Sequence, residues 1–234
     1  MVGKYTGDFD RAQVLYQRAL AISERAYGPV SHAVASVCHN LGGLAHARGD
    51  FAAGEPWARR AVTVRAALLG PDHPTVAADR AAWAALLEGC GRLREAEAVL
   101  QQALVVFQNR YGPEHYEVAV TLHNLAVLCH RRGDFAAAVD GYTRTLALKE
   151  RLLGSGHPEC ATTLVNLATA HRDMSDATAA AAMYARAITI LAPHVAPDHP
   201  TLQAARDRLQ AITSNAPLSP TDSADAPDPH ESAT

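Results

Sequence analysis

Twelve histidines supply this chain with side chains that can bind metals, move protons or hold acidic groups near neutral pH. Their spacing sorts most of them into two sets. His39 and His46 stand seven residues apart, as do His123 and His130, so each pair shares one face of a helix two turns long. His73, His115, His157 and His199 instead recur at a fixed step of 42 residues. A residue repeated at that step lies on successive structural units and not around one ion, so this second set reads as a cap or turn contact. The four cysteines, Cys38, Cys90, Cys129 and Cys160, form no C-x-x-C pair and keep no metal-ligand spacing with histidine. They read as small buried apolar groups in a reducing compartment. No phosphate loop, zinc-protease motif, nucleophile elbow or kinase signature occurs. The expectation is a chain that is not an enzyme, with no catalytic residues, no metal and no cofactor.

The elements that must position the first histidine set are legible as a repeat. "HNLGGLAHARGDFAAG" at residues 39–54 returns as "HNLAVLCHRRGDFAAA" at 123–138. Gly28, Gly70, Gly112 and Gly154 each follow an apolar helical run at a step of 42, and Ala196 stands at the next register. Gly-Asp-Phe recurs at 7–9, 49–51 and 133–135, with Gly91-Arg92-Leu93 and Ser175-Asp176-Ala177 in the remaining slots. The "RGDF" of 48–51 and 132–135 is therefore a turn seen twice, and no adhesion motif is inferred from it.

Within one period the apolar spacing is helical. Leu122, Leu125, Ala126 and Cys129 recur at i, i+3, i+4 and i+7, and Phe135, Ala138, Tyr142 and Leu146 follow a similar stripe after the turn. Gly133 can stop the first helix at positive φ, Asp134 can cap the second, and Pro158 suits the first turn of the next helix. Each period is one helical hairpin, which buries its apolar face only by stacking on its neighbours.

The pattern N-L-A-x6-G-D-F-x-x-A…Y-x-R-x-L resembles the tetratricopeptide repeat in its 42-residue variety, found in kinesin light chains and many bacterial proteins. The family's small-residue positions match Gly42, Ala126 and Ala168, then Ala12, Gly54, Ala96, Ala138 and Ala180, then Ala19, Ala61, Ala103 and Ala187. The resemblance implies an all-α, right-handed solenoid of antiparallel hairpins over about residues 7–213. The divisions expected are a leading helix at 1–27, repeats at 28–69, 70–111, 112–153 and 154–195, a capping helix at 196–213, and an acidic Pro/Ser-rich disordered tail at 214–234. It further implies that first helices line a concave surface where asparagines clamp a peptide backbone. Carried over, the ligand-binding candidates are Asn40, Asn124 and Asn166, flanked by His39, His46, His123, His130, Arg131 and Arg172.

Composition bounds the partner. Net charge is -3, and the segment from Ser214 holds four acids and no Lys or Arg, which leaves the body at about +1. That balance gives no reason to expect nucleic acid or membrane. Lys4 and Lys149 are the only lysines in an Arg- and Ala-rich chain, a composition of high-GC bacterial genes. No leader and no long apolar run is recognisable, so a cytoplasmic location is the default. The functional expectation is a protein-binding scaffold for an extended, acidic peptide, held more tightly as the histidines protonate. The alternative is a sensor arm of a larger signalling ATPase or transcriptional regulator. Residues 1–6 are too short for a first helix, so Val14, Leu15, Tyr16 and Ile22 are expected to form an unpartnered face suited to self-association, or the chain continues a longer array. Pro56 is expected to kink or delay its helix, and paired Gly42-Gly43 to weaken the first repeat by about 1 kcal/mol each.

Overall fold

The computed structural model describes residues 9–214, which form ten α-helices; the acidic tail beyond 214 lies outside the described residues. In chain order these are α1 Phe9–Tyr27, α2 His32–Arg48, α3 Phe51–Leu69, α4 Pro74–Gly89, α5 Leu93–Tyr111, α6 Tyr116–Arg131, α7 Phe135–Leu153, α8 Pro158–Asp173, α9 Ala177–Leu191 and α10 Pro200–Ser214. Each helix packs mainly on its predecessor and its successor, which makes an all-α solenoid of stacked hairpins.

The chain reverses at a regular beat. Left-handed backbone occurs at Gly28, Gly49, Gly70, Gly91, Gly112, Gly133 and Gly154, then at Ser175, a step of 21 residues throughout. The 42-residue period is thus two helix-plus-turn units of equal length. Ser175, at φ 65°, occupies the one position in this series where a side chain must tolerate the conformation glycine favours. The next helix starts are capped from the side chain. Asp50, Asp134 and Asp176 accept from Ala53, Ala137 and Ala179 N–H, while His73, His115 and His157 accept through Nδ1 from Thr75, Glu117 and Glu159 N–H at 3.2 Å. Three of the four repeated loop histidines are therefore helix caps, whereas His199 Nδ1 is buried without a hydrogen-bond partner among the described residues.

Stacking rests on columns of small buried residues. Ala96, Ala138 and Ala180 are fully buried at one position of the second helices, and Ala77, Ala119 and Ala161 at one position of the first. At Gly54 the approach is closer still, because a Cβ there would lie 2.7 Å from Leu86 Cδ2 and 2.8 Å from Ala45 Cβ. Gly42 is likewise a contact point, facing Ala58. Where the first-helix leucine column (Leu41, Leu125, Leu167) carries Trp83, the indole N–H donates to Glu55 at 3.0 Å, which gives its polar edge a partner.

Three details differ from the sequence reading. The helix containing Pro56 begins at Phe51 without delay and runs through the proline. Pro56 and Ala52 both lie on the exposed side, so the Ala52 carbonyl that loses its helical donor faces water. Val14, Leu15 and Ile22 are exposed as expected, but Tyr16 is half-buried against the cluster of Leu20, Val34 and Cys38. Cys38 and Cys160 are buried, whereas Cys90 is exposed at the end of α4.

Backbone strain at one turn yields a direct test. Ser175→Gly should stabilise the chain by roughly 0.5–1 kcal/mol and Gly133→Ala should destabilise it by a similar amount, read as opposite shifts of the urea midpoint.

Candidate functional site

Helices α2, α4, α6, α8 and α10 form one row and α1, α3, α5, α7 and α9 the other. Successive members touch at α2–α4, α6–α8 and α8–α10, and no pair in the second row makes a comparable contact. The more closely spaced row forms the inside of the curve. All nine candidate residues lie on it.

Most of those residues are already engaged in tying one helix of the row to the next. His39 Nδ1 lies 2.8 Å from Asp79 Oδ1, linking α2 to α4. Arg131 reaches from α6 to the Glu88 carboxylate and carbonyl on α4 at 3.1 and 2.9 Å. His130 Nε2 meets Asp173 at 2.9 Å, and Asn166 donates to His123 Nε2 at 3.1 Å, both joining α6 to α8. Arg172 folds onto its neighbour Asp173, whose carboxyl is held below its usual range by hydrogen bonds from Arg172 and His130 in spite of partial burial. The same row is closed at its end by Arg208, which donates to Thr169 at 3.1 Å. Three candidates have no such bond. The side chains of Asn40 and Asn124 are half-buried without a hydrogen-bond partner among the described residues, and His46 rests its ring edge on Phe51.

Two polar clusters, 84 residues apart, explain why histidines stand at these positions. In the first, Asp79 is 3% exposed and bridges His39 to Arg65, whose Nε donates at 2.5 Å and whose side chain is itself buried. In the second, the same three positions hold His123, Thr163 and Lys149. Lys149 is buried and pairs with Glu159 at 3.4 Å, which also accepts from the Tyr116 hydroxyl at 2.8 Å. At the intervening stack those positions are Ala81, Thr121 and Phe107, and after the second cluster Val165, Ala205 and Leu191. Junctions with and without ionisable side chains therefore alternate along the array. The sequence reading did not find Arg65, Asp79, Lys149 or Glu159 as members of the site. For Arg65, Asp79 and Lys149 the signal was a charged residue at a column that is uncharged in the neighbouring repeats; Glu159 had none, since Glu117 precedes it in its column.

His123 differs in chemistry from its copy. It accepts from Asn166, its Nδ1 lies 3.4 Å from Thr163 Oγ1, and the Tyr142 ring lies 5.4 Å away. Burial, with help from the Lys149 charge, pushes its pKa down to about 4. The expectation that these histidines charge together below neutrality is corrected for His123, which stays neutral well below pH 6.5. Among the described residues no three His, Cys, Asp or Glu side chains converge in a way that could hold a metal ion.

The family model for the tetratricopeptide repeat matches residues 4–53, 77–151 and 138–192, and a second tetratricopeptide repeat model matches 34–75. The chain belongs to the tetratricopeptide repeat family. Its array resembles two kinesin-light-chain-like solved structures. One is a point variant of a Podosopora anserina protein described as a kinesin light chain with nearly identical TPR-like repeats, at TM-score 0.71 and 21% identity over 82% of this chain and 90% of that one. The other is BtubC (BKLC) from P. vanneervenii, at TM-score 0.68 and 22% identity over 97% of this chain and 96% of that one. These likenesses are of fold. No curated protein matches the chain. Tetratricopeptide arrays in general are protein-interaction scaffolds and are typically non-catalytic. Among the described residues no helix is long and apolar enough to cross a membrane.

The two clusters make separable predictions. Asp79→Ala leaves a buried guanidinium without its carboxylate and should cost about 3 kcal/mol, whereas the paired change Arg65→Met with Asp79→Leu should recover most of it; urea melts of the three chains decide. For His123 the folded pKa lies below the unfolded one, so the unfolded chain binds the proton first as pH falls. Stability is complete above about pH 6.5 and should decline by up to roughly 2–3 kcal/mol towards pH 4. A His123→Gln chain, which cannot take up that proton, should show a shallower decline of its urea midpoint over the same window.

Proposed function

We propose that the inner row of helices binds an extended segment of a partner protein and performs no chemistry on it. One observation carries the reading. Asn40 and Asn124 occupy the same position two repeats apart, on α2 and α6 of the inner row, and neither amide is used by the fold. An amide offers a donor and an acceptor together, the pair a peptide group needs when an extended strand crosses a helix face. Asn166, in the same register, gives its N–H to His123 and keeps its carbonyl as an acceptor.

Charge supports a partly acidic segment. Arg131 and Arg172 remain 43% exposed although Glu88 and Asp173 hold them, and His39, also 43% exposed, lies on the same row. A carboxylate on the partner would compete with Glu88 or Asp173 for these cations and not meet a bare positive surface, so its contribution is modest and salt-sensitive. His46 and His130 add ring faces beside Phe51 and Phe135, at 5.5 and 5.4 Å. The exposed Val14, Leu15 and Ile22 face of α1 supports self-association as a second use of the surface. A cytoplasmic setting fits a chain whose cysteines are all free.

The test compares wild type with an Asn40→Ala, Asn124→Ala double variant in affinity capture. Because neither amide is bonded internally, the variant should melt with the wild type while losing captured partners about tenfold, as expected for one or two lost hydrogen bonds. An unchanged set of partners would remove the asparagine clamp. Asn166→Ala is kept as a separate arm, since it also frees His123.

A further inference from the structure

One position breaks the packing pattern of the second helices and leaves a space. The column holds Tyr16, Ala58, Leu100, Tyr142 and Tyr184, so four of five members are large and only Ala58 is small. Tyr142 and Tyr184 are 2% and 0% exposed, Leu100 is buried, and Tyr16 is half-buried. At Ala58 a cavity of about 230 Å³ opens between α2, α3 and α4, with Gly42, Gly43, Ala82 and Ala85 in its wall and His39 and Asp79 beside them.

The second copy of this stack, 84 residues on, shows what such a space holds when filled. Ala58 becomes Tyr142, Gly42 becomes Ala126, Gly43 becomes Val127, Ala82 becomes Asn166 and Ala85 becomes Thr169. There the Tyr142 ring is enclosed and lies 5.4 Å from His123, the counterpart of His39. The chain thus carries one stack in which a phenol ring is built in and one in which five of the lining side chains are smaller, although Leu86 lines the open space where the second copy has Ala170. An apolar cavity of about 150 Å³ already accepts benzene, so the open one has room for a phenol ring. Its polar edge is suited as well. The Asp79 carboxylate can only accept, so a neutral His39 ring carries its proton on Nδ1 and offers Nε2 to a hydroxyl as an acceptor.

We propose that the Ala58 cavity is a binding pocket for an aromatic side chain of the partner segment, tyrosine in the first place, which completes the first stack as Tyr142 completes the second. The partner half of the proposal rests on the groove reading above; the pocket itself does not. Chain segments outside the described residues offer one competing occupant, Tyr5, since residues 215–234 contain no Phe, Tyr or Trp.

The probe is p-cresol, the tyrosine side chain as a free molecule, titrated into the full chain by calorimetry and by amide chemical shifts. Wild type should bind it saturably in the millimolar range, with shifts centred on α2 and α4. Ala58→Tyr should fill the space from within, weaken p-cresol at least tenfold and raise the melting temperature. Ala58→Leu, copying Leu100, should weaken it likewise and keeps the test alive should the tyrosine variant not fold. Absence of binding to wild type, or equal binding to wild type and Ala58→Leu, would overturn the pocket. Tighter binding to a Tyr5→Ala chain would assign the space to the protein's own N-terminal segment and would also overturn it. N-acetyl-tyrosine N-methylamide separates the two readings. If Asn40→Ala costs this compound affinity but leaves p-cresol unchanged, pocket and clamp both stand; if only p-cresol binding by wild type is seen, the pocket stands and the clamp falls.

Discussion

Everything in this array depends on how closely neighbouring helices can approach. A hairpin of two amphipathic helices has two apolar faces and only one of them meets its mate, so stability comes from stacking the next hairpin on the other. The columns of alanine and glycine set that distance. At Gly54 and Gly42 there is no room for another methyl group without displacement of Leu86, Ala45 or Ala58. Close backbones give dense packing from small side chains, which is how a chain with only 6% aromatic residues builds a continuous core. The turns serve the same constraint. A left-handed residue every 21 positions keeps the helix-plus-turn units in register, with helices of 15 to 19 residues, so small residues stay opposite small residues along the stack.

On that uniform scaffold the chain varies its junctions. The positions of His39, Arg65 and Asp79 are ionisable, their successors Ala81, Phe107 and Thr121 are not, His123 and Lys149 are ionisable again, and the last set is apolar. Burying charge carries a desolvation penalty that apolar residues of similar volume avoid, so the polar junctions are not explained by stability alone. They do discriminate. A carboxylate at Asp79 matches Arg65 and His39, and the Phe107 junction offers it no such partner, so slippage of one hairpin against another would strand the charge. The alternation also parallels the near-identity of residues 39–54 and 123–138 at twice the repeat length, since alternate stacks place a histidine and a buried basic residue at the same positions.

The inner row is held together by its own polar side chains. His123, His130, Arg131 and Asn166 each hold one helix of the row to the next. Under the proposed binding mode, ligand contact and superhelix geometry would share the same side chains. A partner that drew Arg131 from Glu88, or His130 from Asp173, would loosen the link it displaced. Asn40 and Asn124 are free of that double role, and so is the space at Ala58, and these are the places where binding need not compete with the fold.

The sequence alone determined the architecture, because what specifies it is local. Gly-Asp-Phe is a helix stop followed by a cap, His-Pro is a cap followed by a first helical residue, and the alanine columns repeat at fixed distance; each acts within a few residues of itself. The left-handed Ser175 and the continuous helix through Pro56 were not legible, since both depend on surroundings that tolerate a local cost. The chemistry of individual side chains was decided only by tertiary structure. His39 and His123 occupy the same register and are both followed by Asn-Leu, but one is 43% exposed beside a carboxylate and the other is largely buried beside Tyr142 and held neutral. That difference comes from residues 19 positions further on, Ala58 against Tyr142, in the opposite helix of the hairpin. Burial is a property of what packs across from a residue, and no periodicity read along one helix contains it.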